Sequence, residues 1–360
     1  MFKTRIKKIQ QKIVSENFDV LLVSELAHVR YLCGFAATEA LDGILVVLKG
    51  EAHLFTDFRY KDQAAKEAKG VRIRVGQRNA LADIVNFKPL QKPYLKIGIE
   101  SNYLTHRSLK SLQDSLEKAV FIPTEGLVEE LAMVKDKDEI ANIKEAVRIS
   151  DTAFGRILAI VKPGVREIDL AAELEYQMRM LGSEKPAFET IAASGFRGAL
   201  PHGLASKKRV KKGEFITFDF GATYNGYVSD ITRTIVVGKA TARQKKIYNI
   251  VAKAQLKAIK AAKAGIPGVK LDSVARNLIK KNGYGKNFGH GLGHGIGLMV
   301  HEGPSLSPRS EIVLRPGNVV TIEPGIYISK WGGVRIEDDV VIRRNGCTVL
   351  NKAPKELIEL

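Results

Sequence analysis

Cysteine is nearly missing from the 360-residue chain: only Cys33 and Cys347 occur. Two thiols cannot make a disulfide framework, and they fit no metal-binding spacing, so a reducing cytoplasm is the expected setting. Long apolar runs are missing as well. None approaches the ~18 residues that cross a bilayer, which argues against a membrane protein. The basic opening Met1–Lys8 is not followed by an uninterrupted apolar stretch of about 7–15 residues, so no secretory signal is expected. Acidic residues are scarce relative to basic ones, 39 against 57, giving a net charge of +18. The excess is spread over the chain, with 20 basic and 14 acidic residues in positions 1–125. The densest run, Lys207-Lys208-Arg209-Val210-Lys211-Lys212, has no interleaved aromatics and no nucleic-acid motif around it. It reads as a solvated surface, and nucleic acid is not the expected partner. What remains is ordinary for a globular protein, 45% hydrophobic and 27% charged, which excludes disorder and low complexity.

At roughly 100–200 residues per domain, the length predicts two domains. Residues 1–125 alternate between short strand-like runs (19–23, 44–48, 52–55, 71–75, 95–99) and helix-like ones. The helical readings are a first helix marked by Ile6, Ile9, Ile13 and Val14, then Tyr60–Ala68 and Thr105–Leu116. That pattern predicts a small α/β domain with a mixed sheet. From residue 126 the pattern changes to long helices: Asp138–Val161, stopped at Pro163-Gly164, then Glu167–Leu181, Ala242–Ala262 and Leu271–Lys281, with strands between and after. The whole is an α+β chain with domains 1–125 and 126–360.

The second domain carries a faint repeat. Pro163-Gly164-Val165 recurs as Pro267-Gly268-Val269, and the same offset of 104 places Lys212–Gly221 on Pro316–Gly325. Gly, Thr, an acid and Gly recur in register, which makes Asp219 and Glu323 equivalent positions. Each half reads as a helix–helix–hairpin unit.

Asp219 and Asp230 flank Asn225-Gly226, a strong two-residue hairpin signal. With that turn, 224 pairs with 227 and 219 with 232, so Asp219 and Asp230 share a face, about 7–8 Å apart or less. Two carboxylates among Ile216, Phe218, Phe220 and Ile231 repel each other and lose hydration, and a cation relieves both. A pair of exposed strand aspartates is the bland alternative. Glu323 and Glu337 repeat the situation in the second half, and four acids on duplicated hairpins are hard to assign to a surface. Between them lies Phe288-Gly-His290-Gly-Leu-Gly-His294-Gly-Ile-Gly-Leu-Met-Val-His301-Glu302-Gly-Pro304. Its glycines exclude a regular helix, and with it the zinc arrangement of two histidines one helical turn apart. No Gly-Lys-Ser/Thr follows, so a phosphate loop is a weak reading.

That stretch resembles the signature of the aminopeptidase P and proline dipeptidase family, whose fold is the pita-bread metallopeptidase. Asp219, Asp230, His294, Glu323 and Glu337 match the family's five metal ligands in order. Tyr31–Phe35 and Thr56–Tyr60 are similar to its creatinase-type N-terminal domain. The resemblance implies two divalent metal ions, Asp230 and Glu337 bridging them, and a metal-bridging hydroxide as nucleophile. Glu323 is then the implied general acid/base. Four carboxylates and one imidazole, with no thiolate, favour Mn²⁺ or Co²⁺, Zn²⁺ staying open. His202, His290 and His301 are the implied substrate-site histidines. Arg335 shares a strand face with Glu337 and is expected to orient a carboxylate; Tyr327 is a candidate hydroxyl donor, with ion pairing and core packing as the respective alternatives.

The implied substrate is a peptide with proline at position two, and the implied assembly a homodimer. Dipeptidase-type members carry an arginine after His-Glu-X-Pro, where this chain has Ser305. That favours an Xaa-Pro aminopeptidase over a prolidase. Methionine aminopeptidases, which lack the N-terminal domain, and a non-catalytic protein- or RNA-binding module are the competing readings.

Overall fold

The computed structural model describes residues 1–77 and 80–360. The contacts divide them into two units, Met1–Ala132 and Met133–Leu360.

In the first unit, α1 (Phe2–Ser15), β1 (Val20–Val23), α2 (Leu26–Cys33), β2 (Gly43–Leu48), β3 (Ala52–Asp57), α3 (Lys61–Glu67) and β4 (Arg72–Gly76) follow in sequence. Then come α4 (Ala80–Val85), β5 (Lys96–Glu100), α5 (His106–Ser115), β6 (Val120–Thr124) and a single turn, α6 (Glu129–Ala132). The strands form one sheet in the order β4-β3-β2-β1-β5-β6, antiparallel from β3 to β1 and parallel at both flanks. This is the expected mixed sheet. Strands β1 and β2 are buried almost throughout, which is why they read as unbroken apolar runs rather than alternating ones. Two helix readings need correction. Val14 points to solvent, and the buried face of α1 is completed instead by Arg5, whose guanidinium stacks on Tyr31 and donates to the Tyr31 carbonyl. The sequence reading also passes over α2. It is only two turns long, capped by the Glu25 side chain and ended by Gly34 in the left-handed conformation.

The second unit opens with α7 (Lys137–Ile157) and α8 (Glu167–Met180). Asp136 and Glu139 form a capping box on α7. The helix ends four residues before the expected Val161. The strands β7 (Ile191–Ser194), β8 (Phe215–Phe220), β9 (Thr223–Tyr224), β10 (Tyr227–Val228) and β11 (Ile231–Val236) follow. Helices α9 (Ala242–Ala261) and α10 (Gly268–Lys281) open the second half. It continues with β12 (Gly293–Gly295), β13 (Glu302–Leu306), β14 (Val319–Ile322), β15 (Gly325–Ile328), β16 (Gly332–Arg335), β17 (Asp338–Arg343) and β18 (Gly346–Val349). Each half packs its helix pair mainly on its own strands, although Ile140, Ile143 and Val147 of α7 also cluster with Val319 and Val341 of the second half, and Phe215 and Val236 of the first join the α9–α10 core. One core joins α7 and α8 to Phe218, Phe220 and Ile231; the other joins α9 and α10 to Val320, Ile322 and Val340. The helix–helix–hairpin units expected from the repeat appear as two helix pairs, each followed by antiparallel strands, and the α+β pita-bread arrangement holds. Among the described residues no helix is long and apolar enough to cross a membrane.

Candidate active site

The Asn225-Gly226 turn sets the hairpin register as the sequence predicts: Tyr224 faces Tyr227 and Asp219 faces Thr232. Both turn residues adopt positive φ, which asparagine and glycine tolerate. Asp219 and Asp230 thereby come to one face. Glu323 lies just past β14, and Glu337 between β16 and β17. Asp219, Asp230, His294, Glu323 and Glu337 all line one cavity of about 470 Å³, together with His202, His290, His301 and Arg335.

The glycine-rich segment runs as strand β12, squeezed between β13 and β14. A Cβ on Gly293 would lie 2.1 Å from the Thr321 carbonyl oxygen, and one on Gly295 2.1 Å from that of Gly303. Only glycine allows that approach, and His294 is left as the one side chain between them. Its Nδ1–H donates to the Gly295 carbonyl at 3.1 Å, so Nε2 carries the free lone pair. That atom stands 3.4 Å from Glu323 Oε1 and 3.7 Å from Asp230 Oδ2. Burial and the neighbouring His301 pull the His294 ring down to about 4, so it is neutral at pH 7.

The four carboxylates outnumber the one guanidinium beside them. Burial, then mutual repulsion, raises Asp230 and Glu337 well above the ordinary range, and burial pushes Glu323 up to about 8. Asp219 is held by the Arg335 guanidinium at 2.5 Å. Yet Asp219 Oδ1 and Asp230 Oδ1 are buried with no hydrogen-bond partner. Atoms of Asp230, His294 and Glu337 lie within 4.8 Å of one another. Orphaned carboxylate oxygens, a neutral imidazole with its lone pair turned in, and a surplus of negative charge fit divalent cations.

Hydrogen bonds orient these groups. Thr232 Oγ1 donates to Glu337 at 2.6 Å, and Thr321 Oγ1 to Glu323 at 3.3 Å. The Asp230 backbone N–H donates to Asp339, a buried carboxylate itself raised well above its usual range by desolvation. Arg335 donates to Thr232, to the Pro201 carbonyl and to the Tyr327 hydroxyl as well as to Asp219. Tyr327 sits 2.8 Å from His290 Nε2, while His290 Nδ1 donates to Gly291. Burial and Arg335 hold His290 at about 4, so its Nε2 accepts the Tyr327 proton. The Tyr327 hydroxyl thus links Arg335 to His290 and does not line the cavity. His202 and His301 lie at the exposed rim, His301 with its ring 4.3 Å from that of His294.

Sequence reasoning missed Thr232, Thr321 and Asp339. Thr232 was within reach, being the cross-strand partner that the Asn-Gly turn assigns to Asp219. Asp339 carries no local signal that separates it from a surface acid.

Comparison with known proteins adds the family. Residues 141–344 match the model of metallopeptidase family M24, and residues 5–134 that of the creatinase/prolidase N-terminal domain. An Xaa-Pro dipeptidase of Pyrococcus furiosus is 41% identical over 363 residues, covering 99% of this chain and 100% of the relative. The structure of an Xaa-Pro dipeptidase from Bacillus anthracis superposes with a TM-score of 0.94 at 44% identity, covering 99% of both chains. That of an X-Pro aminopeptidase from Thermotoga maritima gives 0.91 at 38% identity, again with 99% of both covered. With both regions matched and whole-length relatives at this identity, the chain belongs to metallopeptidase family M24, in its creatinase/prolidase-type, Xaa-Pro peptidase branch.

Proposed function

We propose that this chain is a dinuclear-metal Xaa-Pro dipeptidase that hydrolyses the bond between a first residue and a following proline. The observation that carries the reading is the convergence of four carboxylates and one neutral imidazole on a single cavity. Dipeptidases that match the chain from end to end support it. Asp219, Asp230, His294, Glu323 and Glu337 would hold the two ions, and the oxygen-rich donor set favours manganese or cobalt over zinc. Divalent ions held there would lower the pKa of a bound water and polarise the scissile carbonyl.

The chain's own residues supply the rest. Glu323, at the cavity wall, takes the proton of the attacking water. It returns that proton to the proline nitrogen as the C–N bond breaks. His202 and His301 at the rim donate to the substrate carbonyl as negative charge builds on its oxygen. Arg335 holds Asp219 in place and, through Tyr327, fixes the His290 ring. The buried thiol of Cys33 suits a reducing compartment, and we place the enzyme in the cytoplasm as a homodimer on the same resemblance.

A second reading, an Xaa-Pro aminopeptidase acting on longer peptides, is favoured by Ser305. It lines the cavity where an arginine would grip a free proline carboxylate. The test is hydrolysis of Ala-Pro beside Ala-Pro-Ala, after chelation and after addition of Mn²⁺. Metal-dependent cleavage of Ala-Pro in preference to the tripeptide is expected. Preference for the tripeptide would establish the second reading, and cleavage of neither with any metal would remove both.

A further inference from the structure

Two acids outside the cavity are buried in the second helix of each half. Glu167, the first residue of α8, is fully buried, and Asp272 in α10 is 1% exposed. Buried carboxylates are costly unless their oxygens are fully bonded, and these two spend their bonds in the same way.

Glu167 Oε1 accepts from the Ser194 N–H and hydroxyl, both at 2.7 Å. Its Oε2 accepts from Arg197 Nε at 2.9 Å, the Ser206 hydroxyl at 2.6 Å and the Ser206 N–H at 3.2 Å. Ser194 and Ser206 are the two roots of the loop that carries Pro201, His202 and Leu204 into the cavity. Arg197, on the same carboxylate, reaches across the loop to the Leu204 carbonyl. One carboxylate thus closes the base of the loop, and its arginine ties the interior.

Asp272 repeats the device in the second half. Its Oδ1 accepts from the Leu292 N–H at 3.0 Å, and it pairs with Arg276 at 2.6 and 2.8 Å. Arg276 donates to the Phe288 carbonyl at 2.8 Å and the His290 carbonyl at 2.6 Å. The segment held is the one that brings His290 to the cavity and leads into His294. The two acids are not strictly equivalent in the repeat, since Glu167 aligns with Leu271. The same solution is reached from adjacent positions.

We propose that Glu167 with Arg197, and Asp272 with Arg276, are positioning pairs, each setting the place of a histidine-bearing backbone segment at the cavity. None of the four needs to touch substrate. The kinetic part rests on the peptidase reading; the structural part does not. An error of about 1 Å in such a segment is enough to cost up to ~10²-fold in rate.

The test is amide hydrogen exchange on the full metal-free chain for wild type, Glu167→Gln and Asp272→Asn, with kinetics on Ala-Pro after Mn²⁺ addition. Glu167→Gln keeps the shape but loses the charge-assisted bonds. It should speed exchange within residues 195–206 by about tenfold or more and leave 288–292 at the wild-type rate. Asp272→Asn should do the reverse. In kinetics Glu167→Gln should lower kcat by about tenfold, with KM changed less and Mn²⁺ affinity by calorimetry unchanged. Faster exchange spread over the whole catalytic unit, or unchanged exchange in both segments, overturns the proposal. Should Glu167→Gln not fold, Arg197→Lys on the loop decides: it keeps the charge, loses the reach to Leu204, and should loosen 195–206 alone. A wild type that cleaves no Xaa-Pro peptide would sink the peptidase reading, while the exchange result still decides the positioning one.

Discussion

The first half of the catalytic unit presents aspartates, 11 residues apart around a tight Asn-Gly turn; the second presents glutamates, 14 residues apart around a longer hairpin. Asp219 sits within β8 and Asp230 just ahead of its partner strand β11, whereas both glutamates lie beyond the ends of their strands. Their compensation differs too. Asp219 accepts from a guanidinium, whereas Glu323 and Glu337 accept from threonine hydroxyls. The guanidinium on the first half comes from the second, as Arg335. The hydroxyl on Glu337 comes from the first, as Thr232. Asp230 is aimed by Asp339 across the same divide. Each half supplies what the other lacks, so the duplication has produced one site rather than two similar ones.

The sharpest way to break this comparison is to remove one buried acid from either half. Asp230→Asn and Glu337→Gln should each lower kcat/KM on Ala-Pro by at least about 10³-fold, because the loss of several kcal/mol of metal-supplied stabilisation is at stake. The metal-free variants should melt higher than metal-free wild type at pH 8, since a buried repelling charge is gone. A calorimetric scan with and without Mn²⁺ reads both effects.

Arg335 tests the crossing between halves. Arg335→Met leaves the largely buried Asp219 carboxylate without its guanidinium and should destabilise the metal-free protein by about 2–4 kcal/mol in urea unfolding. Adding Asp219→Asn should recover most of that loss. Additive losses would show that the pair does not couple the halves.

The pH dependence follows from the raised carboxylates. Their folded pKa lies above the unfolded value, so the metal-free fold binds more protons than the unfolded chain. Its stability is greatest below the ordinary carboxylate pKa of about 4.3 as far as these groups are concerned. That contribution is lost as pH rises through the Glu323 value of about 8. Metal must displace those protons, so Mn²⁺ affinity should climb from pH 6 to 8 with measurable proton release in buffers of different ionisation enthalpy. A flat affinity would show that the acids are already ionised. The smallest effect is expected at Tyr327, where Phe removes the link between Arg335 and His290. A fall of about tenfold in kcat/KM with unchanged Mn²⁺ affinity should result.

Much of this was legible in the residues. Asn225-Gly226 alone dictates the register that brings Asp219 and Asp230 to one face. The repeat announces the second pair of acids, and the alternating glycines announce a strand that must pass close to its neighbours. Other features were not legible, for physical reasons. Glu167 and Asp339 are charged residues whose burial is decided by partners more than 20 residues away, and Asp272 pairs with Arg276 one helical turn on, a pattern that reads as a solvated surface pair. Val14 satisfies the helical period of α1 yet falls outside the buried stripe, which Arg5 extends on the opposite flank with its guanidinium stacked on Tyr31. The end of α7 is misread because apolar residues continue to Val161, although the chain has already left the helix at Leu158.

The crossing of the halves also sets when the site comes into being during synthesis. Arg335 reaches back 116 residues to Asp219, Glu337 105 residues to Thr232, and Asp339 109 residues to Asp230. Such separations make the cavity a late product of folding. A ribosome-bound chain that has finished only its first half presents two aspartates without the imidazole, the glutamates or the guanidinium. The nascent protein therefore holds no competent trap for a stray cation, and the choice of metal is deferred until nearly the whole chain is available to make it.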